Sequence, residues 1–250
     1  MKLKKVTFVF IVAIFAVFTA FAFQFSPFVE QTFSPTGADS TKSYTIVNDS
    51  DESIAIEIST LIRDQDSKGN ELNKSAANYF SIVPSKVIVK PQSTQIIRVQ
   101  YRGPRTVTSE LSFRLRAEQI DYSLGRQEQN QSMFNFLYVY TASVYVAPSK
   151  IVESVVVKQV VPGLDENGAQ VLNVTLANTG NVHQILTEAE LTLLDNNGNR
   201  VILSGNELPG IDGSNVLARK IITKTIPWPK GLPYPETGSE SYKSQIAYSK

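Results

Sequence analysis

The sequence predicts an all-β protein made of two immunoglobulin-like β-sandwich domains in tandem, and three observations carry that prediction. Short runs rich in Val, Ile, Thr, Tyr and Phe recur along most of the 250 residues, separated by Gly, Pro, Asn and Asp. Seven or eight of these runs lie before Pro148-Ser149, with turn signals at the spacing of an immunoglobulin-like sandwich, and a smaller set lies after it. There is no Cys, so an exported chain of this kind must be held by apolar cores, and its length suffices for two domains of about a hundred residues.

The chain opens Met-Lys-Leu-Lys-Lys, runs through apolar Val6 to Phe21 and reaches the small-x-small pattern Ala20-Phe21-Ala22. A basic start, an apolar middle and a small-residue exit predict a signal peptide over residues 1–22, with an uncleaved anchor helix as the other reading. In either case the remainder has crossed a membrane. Losing Lys2, Lys4 and Lys5 leaves 21 basic against 23 acidic side chains, a balance of −2, which gives nucleic acid or an anionic surface no footing as a partner.

Residues 23–148 form the first domain. A short edge strand is expected near Phe28 to Phe33, then strands at Ser43 to Val47 and Ser53 to Ile62, with Ile54, Ile56 and Ile58 alternating against polar neighbours. The polar run Arg63 to Lys74 reads as a loop. Three short strands follow at Phe80 to Val83, Val87 to Val89 and Thr94 to Tyr101, punctuated by Pro84 and Pro91. Ser109 to Ile120 alternates Leu111, Phe113 and Leu115 against Ser112, Arg114 and Arg116, and a polar connection leads on to the most distinctive stretch.

That stretch is Met133 to Val146, fourteen residues without Gly or Pro. As a single strand it places Phe134, Phe136, Tyr138 and Tyr140 on one face and Asn135, Leu137, Val139 and Thr141 on the other. It is too short for a membrane helix, which needs about 20 residues. A row of four aromatics is either a binding surface or a face overlaid by the neighbouring domain.

Residues 149–230 form the second sandwich, with strands at Ile151 to Val161, Ala169 to Ala177, Val182 to Leu194, Arg200 to Ser204 and Val216 to Ile226, joined by Asn- and Gly-rich turns. Residues 231–250 read as a polar tail whose tyrosines, Tyr234, Tyr242 and Tyr248, are too sparse for a strand.

No catalytic constellation is visible. Cys chemistry is absent, and the single histidine, His183, follows a turn and reads as a surface or rim residue. There is no phosphate loop, no dinucleotide fingerprint, no metal cluster and no cofactor motif; Asp195 to Gly198 lacks the acid spacing of a calcium loop. The expectation is a non-enzymatic protein with no small-molecule substrate.

The run Ile82 to Val99, with Pro84, Pro91 and Arg98, followed by Glu110-Leu-Ser-Phe113-Arg114-Leu-Arg116, resembles the N-terminal domain of periplasmic pilus-assembly chaperones of the chaperone–usher type. The resemblance covers Phe28 to Pro148 and extends loosely to Leu172 to Asn178. It implies a periplasmic chaperone whose last first-domain strand is lent to a pilus subunit lacking a strand of its own, before transfer to an outer-membrane usher. Carried over, the donor side chains are Phe134, Phe136, Tyr138 and Tyr140. Typical members also clamp the subunit's terminal carboxylate with two basic residues, whose positions here fall at Thr32 and Ser143, and carry a basic residue where Ala147 stands. The sequence therefore resembles a divergent branch, and Arg114 and Arg116 become the candidate carboxylate anchor, since a guanidinium suits a forked pair. The alternatives are a structural sandwich protein of the cell surface or of an appendage, and a solute-binding or adhesin module.

Overall fold

A computed structural model describes residues 23–121, 137–235 and 242–249. The expected signal peptide, Phe134 and Phe136 lie outside these residues. Within them the secondary structure is strand, apart from two 3₁₀ turns at Ala38–Ser40 and Gly205–Glu207.

The first lobe holds β1 (Gln24–Ser26), β2 (Gln31–Phe33), β3 (Thr41–Asn48), β4 (Ile54–Gln65), β5 (Glu71–Ser75), β6 (Phe80–Val83), β7 (Lys86–Val89), β8 (Ser93–Tyr101), β9 (Leu111–Ile120) and β10 (Val139–Val146). One sheet runs β1-β3-β8-β6; the other runs β2-β10-β9-β4-β5, with β7 also on β4. The single expected edge strand near Phe28 is thus two short ones, in different sheets. β1 pairs antiparallel with β3, the chain crosses over at Pro27, and β2 pairs parallel with β10. Alternation sends Ile46, Ile56, Ile58, Ile97, Val99, Phe113, Leu115, Ala142, Val144 and Val146 into a common core between the sheets.

The polar run Arg63 to Lys74 is not a loop. β4 continues to Gln65 and pairs through β5, with Leu61 opposite Ser75 and Gln65 opposite Glu71. The turn between them is built on Asp66, whose Oδ1 accepts from the amides of Lys68 and Asn70 at 2.8 Å each, while Gly69 takes φ 80°. A hairpin that needs no buried face can be polar throughout, which is why the sequence lacks the apolar alternation of a strand there.

The second lobe comprises β11 (Val155–Leu164), β12 (Gln170–Asn178), β13 (Gln184–Ile185), β14 (Thr187–Leu194), β15 (Arg200–Ser204), β16 (Asn215–Val216), β17 (Ile221–Pro227) and β18 (Lys243–Ser249). Two three-stranded sheets, β11-β12-β17 and β15-β14-β18, enclose a second core of Leu172, Val174, Leu176, Leu191, Leu193, Ile222 and Ile246. The expected polar tail is corrected here: residues 243–249 are a strand paired to β14, with Ile246 opposite Leu191 and buried. An edge strand covering one face requires only that single large apolar side chain, flanked by half-buried Ser244 and Tyr248.

Hydrogen bonds and an ion pair join the lobes. The Gln65 side chain donates to the Asn215 carbonyl at 2.6 Å and accepts from the Leu217 amide at 2.9 Å. Asn181 donates to the carbonyls of Thr108 and Lys150 at 3.1 and 2.8 Å, and its own carbonyl accepts from the Glu110 amide at 2.8 Å. Lys220 pairs with Asp64.

Candidate functional site

β10 is the element on which the site is built. It is antiparallel to β9 from Val139 opposite Glu118 to Val146 opposite Leu111, but β2 covers its other edge only at Val144, Tyr145 and Val146. Among the described residues no strand pairs with the outer edge of Val139–Ser143. The Gln119 amide donates to the Tyr138 carbonyl at 2.9 Å, and the Ala147 amide, odd-numbered, donates outward to the Phe33 carbonyl at 3.1 Å. Antiparallel alternation then directs the N–H and C=O of Val139, Thr141 and Ser143 away from β9, toward the free edge.

The even face of β10 is the core face. Ala142, Val144 and Val146 are buried on it, and Tyr138 and Tyr140 continue the same row, half-buried against the first core. The Tyr140 ring lies 4.8 Å from Phe23 and 5.6 Å from Phe28, both edge-on. Tyr138 and Tyr140 are therefore not a second apolar face; they extend the first one, packed against the first core. On the odd face Leu137 is 52% and Val139 44% exposed.

Further along the odd face the side chains turn polar and converge. Arg114 on β9 stands opposite Ser143 on β10 and Leu61 on β4. Its Nη1 donates to Ser143 Oγ at 2.5 Å, while Nε and Nη2 form a fork on Glu71 of β5 at 2.9 and 2.5 Å. Arg63 on β4 completes the group: its Nε donates to the same carboxylate at 2.8 Å and its Nη1 to the Tyr145 hydroxyl at 2.7 Å. Burial pushes the Glu71 carboxyl up, but the Arg114 hydrogen bond and the Asn73, Arg114 and Arg63 contributions outweigh it and hold the group down at about 2. Arg114 is raised in turn, by Glu71 first. Two guanidiniums fixed by β10 hydroxyls thus converge on one carboxylate, that of Glu71. Arg116 is not part of this group; it pairs with Glu118 at 3.1 Å on an open stretch of the same sheet.

Sequence reasoning missed Arg63 and Glu71 because the loop reading hid their alternation with Gln65 and Asn73. The turn signal Asp66 to Asn70 was the available clue.

His183 is likewise not a surface residue. Its ring stacks on Tyr145 with centroids 3.9 Å apart and an 8° angle, Nδ1 lies 2.8 Å from Glu110, and Nε2 lies 3.4 Å from Glu30. Tyr145 and Glu110 belong to the first lobe, so the single histidine joins the two. Burial lowers its affinity for a proton, but Glu110 and Glu30 overcome this and the net shift is upward.

Residues 33–152 match the family described as pili and flagellar-assembly chaperone, PapD N-terminal domain. The matched stretch runs from the end of β2 through β10, the greater part of the first lobe. Among solved structures, this chain is similar to one from the chaperone–tip adhesin complex of CFA/I fimbriae biogenesis, at TM-score 0.55 and 15% identity over 90% of this chain and 98% of that one. It is similar to the class 5 fimbriae chaperone CfaA at TM-score 0.54 and 14% identity, covering 92% and 100%. A third is a chain of the CsuC–CsuE chaperone–tip adhesion subunit pre-assembly complex from archaic chaperone–usher Csu pili of Acinetobacter baumannii, at TM-score 0.52 and 12% identity, covering 89% and 97%. At these identities the likeness is one of fold. No curated protein matches the chain.

Proposed function

We propose that this protein is a periplasmic, non-enzymatic chaperone, and that it holds an incomplete pilus subunit on the free edge of β10 until an outer-membrane usher receives it. The observation that carries the reading is the open stretch Val139–Ser143, continuous with a well-anchored strand and ending beside the Arg63–Arg114 receptor. An added strand would pair with the outward amides and carbonyls of Val139, Thr141 and Ser143. Phe134, Phe136, Tyr138 and Tyr140, along the even row, would enter the subunit's open groove, with each ring contributing roughly 150–250 Å² of buried area. Tyr138 and Tyr140 lie at the rim of their own core, so they can move outward without emptying it. A chain terminus laid along β10 would bring its carboxylate to Arg114.

Removing one outward amide tests this without touching the core. Thr141 is exposed, and Thr141→Pro deletes an N–H that points away from β9 and pairs with no strand among the described residues. Co-expressed with candidate subunits, wild type is expected to co-purify with its subunit, and a folded Thr141→Pro variant to recover about tenfold less, roughly 1.4 kcal/mol of binding. Equal recovery would place the interaction on another surface, and self-association without any subunit would favour a structural role.

A further inference from the structure

The carboxylate in the two-arginine site comes from the chain itself, and from the part of the sheet least able to hold it. β5 is an edge strand whose five residues are all exposed, and it pairs only with β4. Leu72, its one large apolar side chain, is 46% exposed. Nothing on β5 enters the first core. The guanidiniums are held from the opposite side: Arg114 by Ser143 and Arg63 by Tyr145, both on β10, and Tyr145 is fully buried. The guanidiniums are tied to a strand of the core, while Glu71, which also accepts from the Asn73 side chain at 3.1 Å, sits on a strand with no residue in that core. Segments with few buried contacts open at the lowest local cost.

We propose that Glu71 is an internal stand-in for an incoming carboxylate: it occupies the Arg63–Arg114 receptor in the free protein and is displaced when a polypeptide bearing a free carboxylate is laid along β10. This rests on the reading of Arg114 as a carboxylate anchor and adds a competition to it. The stand-in keeps two buried-side guanidiniums paired while the site waits, and it sets a threshold. A peptide that pairs with the β10 edge but brings no carboxylate leaves Glu71 in place, whereas one with a correctly placed carboxylate exchanges one ion pair for another and gains the strand contacts as well. The exchange is close to neutral in charge, so selection depends on position rather than on net attraction.

The site is read directly by the side-chain Nε–Hε NMR signals of Arg63 and Arg114 in the mature protein. The probes are N-acetylvaline, which carries a terminal carboxylate, and N-acetylvalinamide, which does not. In Glu71→Gln the arginine signals should move with N-acetylvaline at a concentration at least about tenfold below that needed for wild type, and N-acetylvalinamide should move neither protein. Glu71→Ala should behave as Glu71→Gln. Equal responses from wild type and the variants, no response from the variants, or failure of both variants to fold would each overturn the proposal and leave Glu71 as an ordinary tie between β5 and β9. Subunit capture, measured separately by co-purification, distinguishes the two levels: capture that persists while the arginine signals stay still removes only the stand-in, and capture lost in Thr141→Pro is independent of Glu71.

Discussion

His183 and Arg114 show how single side chains take their roles from the sheet position of their neighbours. One ring face and both nitrogens of His183 are engaged at the junction, where Tyr145, Glu110, Glu30 and the more distant Arg63 face it. Its proton is bound more tightly in the folded protein than at the ordinary value of 6.5, so protonation stabilises the fold. That contribution is complete below pH 6.5 and is lost as pH rises through the elevated folded value. Thermal unfolding followed between about pH 5 and 8.5 should therefore show wild-type stability declining over the upper part of this range, and His183→Gln should flatten that decline. An unchanged slope in the variant would assign the pH dependence elsewhere. Arg114 was legible in the sequence because it sits next to Phe113 in an alternating strand. Its partner Glu71 was not, because a pair 43 positions apart meets only through the β9-β4-β5 register.

At the level of elements, legibility followed burial. β9 and β10 announce themselves because one face of each is continuously apolar, and the motif around Pro84, Pro91, Glu110 and Phe113 falls on β6 to β9 as the resemblance implied. β5 and β18 escaped because edge strands need little or no apolar alternation: β5 buries no apolar side chain, and β18 buries only Ile246. In the described residues β10 begins at Val139, past Leu137 and Tyr138; residues 133–136 of the expected strand lie outside them. If β18 completes the second sandwich, Ile246→Ala should destabilise it by about 2–5 kcal/mol, the range for deleting a buried branched side chain. A chemical-denaturation series reads this directly. A change within experimental scatter would return residues 243–249 to the status of a tail.

For the whole molecule, the two cores are separate clusters, joined by the hydrogen bonds of Gln65, Asn181, His183 and Glu110. This junction fixes the Tyr145 end of β10, while β2 releases the other half of the strand's outer edge. One strand thus has a clamped end and an open end, which is the arrangement a strand-lending chaperone requires and a closed sandwich would avoid. Hydrogen–deuterium exchange across β10, with and without a co-purified subunit, examines that arrangement most directly. The outward amides of Val139, Thr141 and Ser143 should exchange freely in the isolated protein and slow by at least about tenfold in the complex, while Val144 to Val146 change little. Unchanged exchange at Thr141 and Ser143 with the subunit still bound would contradict strand lending at this edge.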